Sequence, residues 1–278
     1  MTLVIEGRDG VWSNLVNQVA IKTFRLRKRV FQKFNPAKVS TPVFIVGSGR
    51  SGTDIVTHTL SRSFFTDIYN EYHDAAFENW RLRPLDEIGG LIEKSSAQFV
   101  VFKPIVETLR SKELLDYFPD GKLLFAVRDY RDAVNSMVRF FGRGHIKAVQ
   151  AWVRSDFERH SQAPEYMKDF IRTHCDENVS LQDACGLYWL LYNAAYQYLD
   201  LENDPRARLI SYERLVRNSN EETRDLASFL GISWSSGMTQ GIYDKSIGKS
   251  SPPNISPAIE AECNRVWEYL SKCIQSER

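Results

Sequence analysis

The sequence has few cysteines, almost no excess of either charge and no long apolar run. Its four cysteines, Cys175, Cys185, Cys263 and Cys273, form no CxxC pair and no metal-ligand spacing, which indicates free thiols in a reducing compartment. The 36 basic and 35 acidic residues give a formal net charge of +1, which argues against a nucleic-acid-binding protein. Any anion-binding site must therefore be built locally.

Two absences bear on location. No stretch approaches the roughly 18 to 20 apolar residues that a membrane span needs, and residues 1–10 lack the apolar core of a signal peptide. We therefore expect a cytoplasmic protein without a transmembrane segment.

The 278 residues, 43% of them hydrophobic, fit a single domain over 1–278, with 1–40 as an N-terminal helical extension. Basic and apolar residues alternate between 22 and 33 at near-helical spacing, which predicts a surface helix. Its basic face is either solvated or in contact with an anionic surface or partner. Oligomeric state stays open, with a homo-oligomer among the alternatives.

Short apolar runs alternate with helical patterns along the chain. The predicted strands cover 41–46, 65–70, 98–102, 122–127 and 208–210. The predicted helices cover 55–63, 108–118, 130–141, 181–201, 221–230 and 255–274. This alternation predicts an α/β fold with three α/β/α layers and a mostly parallel central sheet. Polar residues that follow the strands would then share one edge of the sheet, where ligands bind.

A glycine-rich loop follows the first predicted strand and precedes a helix. Residues Gly47 to Thr53 read G-S-G-R-S-G-T, with the glycine spacing of a Walker A loop but Thr53 in place of its lysine. The missing lysine argues against a nucleoside triphosphatase. Backbone N–H groups and the helix N-terminus would still bind a phosphate, with Arg50 as an added donor.

The glycine loop, with its G-x-G-R-S-G-T sequence between a strand and a helix, resembles the 5′-phosphosulfate loop of sulfotransferases. These enzymes use PAPS (3′-phosphoadenosine 5′-phosphosulfate). Residues 127–132 (V-R-D-Y-R-D) followed by Ser136 resemble the second signature of that family. Residues 210–216 and 229–231 are similar to its Y-E-x-L-V and F-L-G segments, and 245–249 to its late basic loop.

The resemblance implies a P-loop-like sulfotransferase fold, PAPS as co-substrate, PAP as product, a small-molecule acceptor and no metal. By position in the motifs, it implies that the nucleotide is held by Gly49, Arg50, Ser51, Gly52, Thr53, Asp54, Arg128, Ser136, Tyr212, Gly248 and Lys249. Arg128 and Ser136 correspond to the residues that hold the 3′-phosphate, and Tyr212 to a tyrosine near the adenine. Lys249 would close over the 3′-phosphate.

The chain departs from the family pattern at Asp54, where Thr or Ser is usual. A carboxylate suits the first turn of a helix but repels a bound phosphosulfate. Asp54 could pair with a basic residue or contact the acceptor. A degenerate, non-catalytic loop is the other alternative.

Arg50 and Lys103 are the predicted donors to the negative charge that develops on the leaving nucleotide. The family's Lys-Thr-His is Lys-Pro-Ile here, so the general base must come from elsewhere. Glu71, after the second strand, is the first candidate, and His73 the second. The alternatives are a structural Glu71 paired with Arg50 or Lys103, and an ordinary loop His73.

These observations predict transfer of a sulfuryl group from PAPS to a hydroxyl or amine of a small molecule, such as a natural product or other metabolite. Two alternatives are a nucleotide or metabolite kinase with a variant P-loop and a catalytically inactive PAP- or PAPS-binding protein. Aromatic-rich segments at 74–80, 140–152 and 188–198 are candidates for the acceptor pocket, although the helical spacing of the last favours core packing.

Overall fold

The structure is a computed structural model that describes residues 12–242, 248 and 251–276. The strands are β1 (Thr41–Gly47), β2 (Thr66–Tyr69), β3 (Phe77–Glu78), β4 (Arg81–Leu82), β5 (Phe99–Phe102), β6 (Lys122–Val127) and β7 (Ala207–Ser211). The helices are α1 (Trp12–Phe34), α2 (Thr53–Ser61), α3 (Leu85–Glu93), α4 (Ser111–Tyr117), α5 (Tyr130–Phe141), α6 (Gly144–Arg154), α7 (Glu165–His174), α8 (Leu181–Asn193), α9 (Ala195–Tyr198), α10 (Tyr212–Arg217), α11 (Ser219–Leu230) and α12 (Pro257–Ser276).

Five strands form one parallel sheet in the order β2-β5-β1-β6-β7. Phe44 and Val46 of β1 point into a core shared with α5, α8 and α12, whereas Val43 and Ile45 pack on the other side against α2 and α11. All four side chains are fully buried. Coverage of both faces explains the continuous apolar runs, and the predicted α/β fold with three layers is confirmed.

The carboxyl ends of the parallel strands lie at one edge of the sheet, called the rim below. The glycine loop follows β1, Lys103 follows β5, Arg128 follows β6 and Tyr212 follows β7. Glu71 lies two residues beyond the end of β2. The fold thus brings together side chains as distant in the sequence as Arg50 in the glycine loop and Tyr212 after β7.

Two predicted helices are interrupted. The pattern at 108–118 begins as a 3₁₀-helix over 105–110, whose Thr108 hydroxyl contacts the backbone of Gly47, and continues as α4. The pattern at 181–201 ends as α8 at Asn193, whose amide donates to the Trp189 carbonyl at 2.7 Å. Local side-chain hydrogen bonds to the backbone compete with continuation of a helix at such positions.

Helix α1 packs against the β2 edge of the sheet. Lys28 Nζ donates to Thr66 Oγ1 at 3.1 Å, and Gln32 Nε2 donates to the Phe64 carbonyl at 3.1 Å. Phe31 adds edge-to-face contacts with Phe64 and Phe65. Across the described ranges, no helix has the length and apolar character needed to cross a membrane.

Candidate active site

The glycine loop begins and ends at positions that only glycine suits. Gly47 has φ +131°, and a Cβ there would lie 2.2 Å from the Ala126 carbonyl oxygen on β6. Gly52 has φ +99° and would place a Cβ 2.7 Å from the Tyr212 ring. The backbone therefore passes close to β6 and Tyr212, and it does so through the left-handed region that glycine tolerates.

Within the loop, Ser51 Oγ donates to the Ser48 carbonyl at 2.7 Å and closes a tight turn before α2. Ser48 is fully buried, and its hydroxyl has no hydrogen-bond partner among the described residues. A buried polar atom without a partner next to a helix N-terminus suits an anion at this position. The loop therefore fits a phosphate or phosphosulfate group.

Two cationic pockets lie on the rim. The first is the glycine loop with Arg50, and the second is built around Arg128, at the end of β6. The Arg128 guanidinium lies over the Tyr212 ring, 4.3 Å from the centroid, and its Nη2 is 3.9 Å from Asp132. The Trp189 indole donates to the Arg128 carbonyl at 3.0 Å and fixes the backbone. Arg128 is only 4% exposed, so it presents a positioned and largely desolvated cation next to an aromatic ring.

Arg50 connects the loop to this second pocket. Its Nε donates to Ser136 Oγ at 3.0 Å, and its guanidinium lies 4.5 Å from the Phe140 centroid. Burial lowers the pKa of Arg50, the Asp54 carboxylate opposes this shift and the Arg128 cation adds to it. The Arg50 and Arg128 charges are therefore close enough on the rim to act on each other.

Lys103 is the centre of a buried ionic cluster beside the loop. Its Nζ is 2.5 Å from Asp54 Oδ1 and 2.7 Å from Glu71 Oε2. The side chains of Lys103 and Glu71 are 4% and 12% exposed, whereas Asp54 is 73% exposed. Burial alone would lower the pKa of Lys103, but the two carboxylates outweigh it and the net shift is upward. Lys103 is therefore held as a cation.

An aromatic pair lies beside Glu71. Asn79 and Trp80 connect β3 to β4 and both have positive φ, 49° and 69°, as in a two-residue hairpin turn. The Trp80 ring packs edge-to-face on Tyr72 at 4.7 Å between centroids. Both rings are more than half exposed, so they form an accessible apolar surface next to the Glu71 backbone. A bulky residue in the left-handed region is strained, and such strain is concentrated at functional sites.

A model of the sulfotransferase domain matches residues 40–274. The chain belongs to the sulfotransferase family. No curated protein matches it.

Two solved structures share the sulfotransferase fold with this chain. One is the sulfotransferase domain from the curacin biosynthetic pathway, with 13% identity and a TM-score of 0.55, covering 84% of this chain and 99% of that one. The other is the sulfotransferase domain from the Synechococcus PCC 7002 olefin synthase, with 12% identity and a TM-score of 0.50, covering 84% and 96%.

In this sulfotransferase domain, the predicted site residues fall into two neighbouring groups. The glycine loop from Gly49 to Thr53, with Arg128, Ser136 and Tyr212, surrounds the two cationic pockets. Asp54, Glu71 and Lys103 form the ionic cluster beside them. Asp54 pairs with a basic residue, one of the two orientations expected from the sequence. Glu71 also has the pairing expected of a structural carboxylate.

His73 lies apart from the ionic cluster. Its ring is exposed and packs on Tyr69 at 4.7 Å between centroids, and its Nδ1 accepts from the Ala75 amide at 3.4 Å. Glu71 reaches Lys103 and His73 faces solvent because the chain turns after β2. Of these two residues, Glu71 is the one that contacts Lys103 and belongs to the ionic cluster.

Gly248 and Ser251 contact α5. The Gly248 amide donates to Asp132 Oδ2 at 2.9 Å, and the Asn135 amide donates to the Ser251 carbonyl at 2.9 Å. The same Asp132 oxygen lies 3.9 Å from Arg128 Nη2, so Asp132 contacts both Gly248 and Arg128. Lys249 lies outside the described residues.

Sequence reasoning missed three supporting residues. Phe140 lies under Arg50, Thr108 donates to the Gly47 carbonyl, and Glu213 Oε1 accepts from the Asp129 amide at 3.1 Å. Burial raises the pKa of Glu213, and its hydrogen bonds to backbone amides oppose that shift. Phe140 begins one of the aromatic-rich segments and Glu213 follows Tyr212 in a motif already assigned to the rim, whereas Thr108 had no signal in the sequence.

Proposed function

We propose that this sulfotransferase moves a sulfuryl group from PAPS to a hydroxyl or amine of a small-molecule acceptor in the cytoplasm. The observation that supports this most directly is the adjacency of three features on one rim. A loop built for a phosphate group, the Arg128 pocket and the ionic cluster around Lys103 all lie at the carboxyl ends of neighbouring strands.

The proposed donor site uses both cationic pockets. Arg128 and Ser136 would hold the 3′-phosphate, with the Tyr212 ring near the adenine. The amides of the glycine loop and the N-terminus of α2 would hold the 5′-phosphosulfate. In this structure Arg50 donates to Ser136, so it would contribute to the 3′-phosphate pocket as well as to the loop.

PAPS supplies the sulfuryl group and leaves as PAP. In the proposed step, an acceptor oxygen or nitrogen forms a bond to sulfur while the bond between sulfur and the bridging phosphate oxygen breaks. Lys103 stabilises the negative charge on that oxygen, and Glu71 takes the acceptor proton. The raised pKa of Lys103, caused by Asp54 and Glu71 against the effect of burial, favours its role as a fixed cation over that of an acid.

The acceptor would approach past Tyr72 and Trp80, since these exposed rings lie next to Glu71. Aromatic side chains give an acceptor apolar contact and a fixed orientation. A natural product or other metabolite with an accessible hydroxyl or amine is the substrate class we propose.

A thermal-shift series with the full chain tests the class of nucleotide. We expect PAP to raise Tm and ATP to leave it unchanged, because binding to the native state alone stabilises it. Arg128→Ala should abolish the PAP shift. Arg131→Ala is the matched control, since Arg131 is an exposed arginine of the same motif that pairs with Asp129.

The alternatives give different results in the same series. A shift with ATP but not PAP would indicate a kinase. A shift with PAP, without transfer of label from radiolabelled PAPS to a panel of phenols, alcohols and amines, would indicate an inactive binding protein. Either result would refute the proposed activity.

A further inference from the structure

The outward face of α1 carries an exposed apolar stripe. Leu26, Val30 and Phe34 are 64%, 48% and 77% exposed, and they recur at every fourth residue. Residues at this spacing lie on one side of a helix. Lys28 and Gln32 point to the opposite side and bind the β2 region, so the stripe faces away from the protein.

Cations surround the stripe. Exposed basic side chains occur on the helix at Lys22, Arg25, Arg27, Arg29 and Lys33. The segment Trp12–Phe34 contains no Asp or Glu. At 3.6 residues per turn, Lys22 and Lys33 lie within about 40° of Leu26 around the axis, so cations and apolar side chains share one face.

A cationic groove of about 510 Å³ runs beside the stripe, between α1 and the end of α3. Arg29 and Lys33 line it from α1, and Lys94 lines it from the other side. Among the described residues that line it, Asp67 is the acidic one, and the Ser95 hydroxyl donates to that carboxylate at 2.7 Å. The groove therefore adds to the positive potential of the α1 face.

We propose that the α1 face, defined by Leu26, Val30, Phe34 and the cations around them, binds the surface of an anionic lipid bilayer. Apolar side chains can enter the interface while the long lysine and arginine side chains reach the headgroup phosphates. A second copy of the chain fits this face less well, because a symmetric contact would bring the same cations together. Binding of a bilayer by the α1 face does not depend on the proposed catalytic function.

Vesicle flotation with the full chain tests the proposal. We expect the protein to float with vesicles of phosphatidylcholine and phosphatidylglycerol (7:3) at low salt and not with phosphatidylcholine alone. Exposed charges are screened as salt rises, so binding should fall steeply between low and high salt. Flotation with neither vesicle type would overturn the proposal.

Paired variants locate the surface. Lys22→Glu with Lys33→Glu should weaken partitioning at least about thirtyfold, since each cation near an anionic surface contributes roughly fivefold. Arg217→Glu with Lys272→Glu makes the same change in net charge near the opposite edge of the sheet and should have a much smaller effect. Equal losses in the two pairs would overturn the assignment to α1.

The apolar stripe is tested separately. Leu26→Ser with Val30→Ser should reduce flotation, whereas Tyr117→Ser with Tyr166→Ser, which replaces two exposed side chains elsewhere, should not. Sedimentation velocity is measured on the unmodified protein and on the Leu26 and Val30 variant. A dimer that dissociates in the Leu26 and Val30 variant would show that a second copy covers the stripe, contrary to the proposal.

Discussion

Lys103 pairs with two carboxylates that differ in their exposure to solvent. It is buried between two carboxylates, and only one of them, Glu71, is itself largely buried. Asp54 is mostly solvated, so its pairing with Lys103 is weakened by solvent. The two carboxylates should therefore have separable effects on catalysis and on nucleotide binding.

Glu71→Gln should lower kcat by about 10²- to 10⁴-fold, the usual contribution of a general base. The amide keeps the size and can still contact Lys103, so PAP binding should change little. Steady-state kinetics and calorimetry with PAP provide the two measurements. Glu78→Gln, at an exposed glutamate of β3, is the control. Loss of activity in His73→Gln with full activity in Glu71→Gln would assign the base to His73.

Asp54→Thr should tighten PAP binding several-fold, because it removes a carboxylate from the first turn of α2 beside the proposed 5′-phosphate position. The gain is modest since Asp54 is 73% exposed. Titration calorimetry measures it. If PAP affinity is unchanged and the acceptor KM rises instead, Asp54 contacts the acceptor.

The sequence predicts residues at strand ends better than their partners. Arg128 and Tyr212 could be placed on one rim because parallel strands end at the same edge. The contact between Arg50 and Ser136 joins residues 86 positions apart, and that between Lys103 and Asp54 joins residues 49 apart. Such contacts depend on side-chain directions that no local pattern encodes.

The conformation of the glycine loop between β1 and α2 is fixed by close contacts with β6 and Tyr212. Gly52→Ala would place a methyl group 2.7 Å from the Tyr212 ring at a φ of +99°, so it should lower Tm and weaken PAP binding. Gly89→Ala is the control, because Gly89 lies inside α3 with nothing within 4 Å of its added Cβ. That change should stabilise the protein by about 0.5 to 1 kcal/mol. Thermal unfolding with and without PAP compares the two. A Gly52→Ala protein with unchanged Tm and affinity would contradict this account of the loop.

The strands of the main sheet were predictable, and several other elements were not. The runs at 41–46 and 122–127 match β1 and β6 closely, since buried parallel strands are apolar on both faces. The β3–β4 hairpin has two residues in each strand, too few for an alternating pattern. Its Asn79-Trp80 turn also lacks the glycine that usually marks such turns.

Two histidines buried in the core should make the stability of the whole protein depend on pH. His145 and His160 are 5% exposed and lie among the aromatic side chains of α6 and α8, including Trp152, Tyr188 and Tyr192. Burial lowers the pKa of each ring from 6.5 to about 4, and Arg81 and Arg159 add to the shift at His160. The native protein therefore keeps both rings neutral at pH values where free histidine is charged.

This neutrality predicts acid lability. Between pH 6.5 and 4 the unfolded chain binds more protons at these two sites than the native state does, so the free energy of unfolding falls as pH falls through that window. From pH 7 to pH 5 the loss should be about 2 kcal/mol for each ring. Above pH 7 both states are neutral at these sites and the effect disappears.

Urea unfolding at pH 7 and pH 5 measures this loss, and His145→Gln with His160→Gln should remove about 4 kcal/mol of it. The comparison is a difference between two pH values within each protein, so it is insensitive to the stability that the substitutions themselves cost. His174→Gln, which removes a partly exposed ring bonded to the Phe170 carbonyl outside this aromatic cluster, is the matched control. If the double variant loses as much stability on acidification as the unmodified protein, the groups that couple folding to protons lie outside this core.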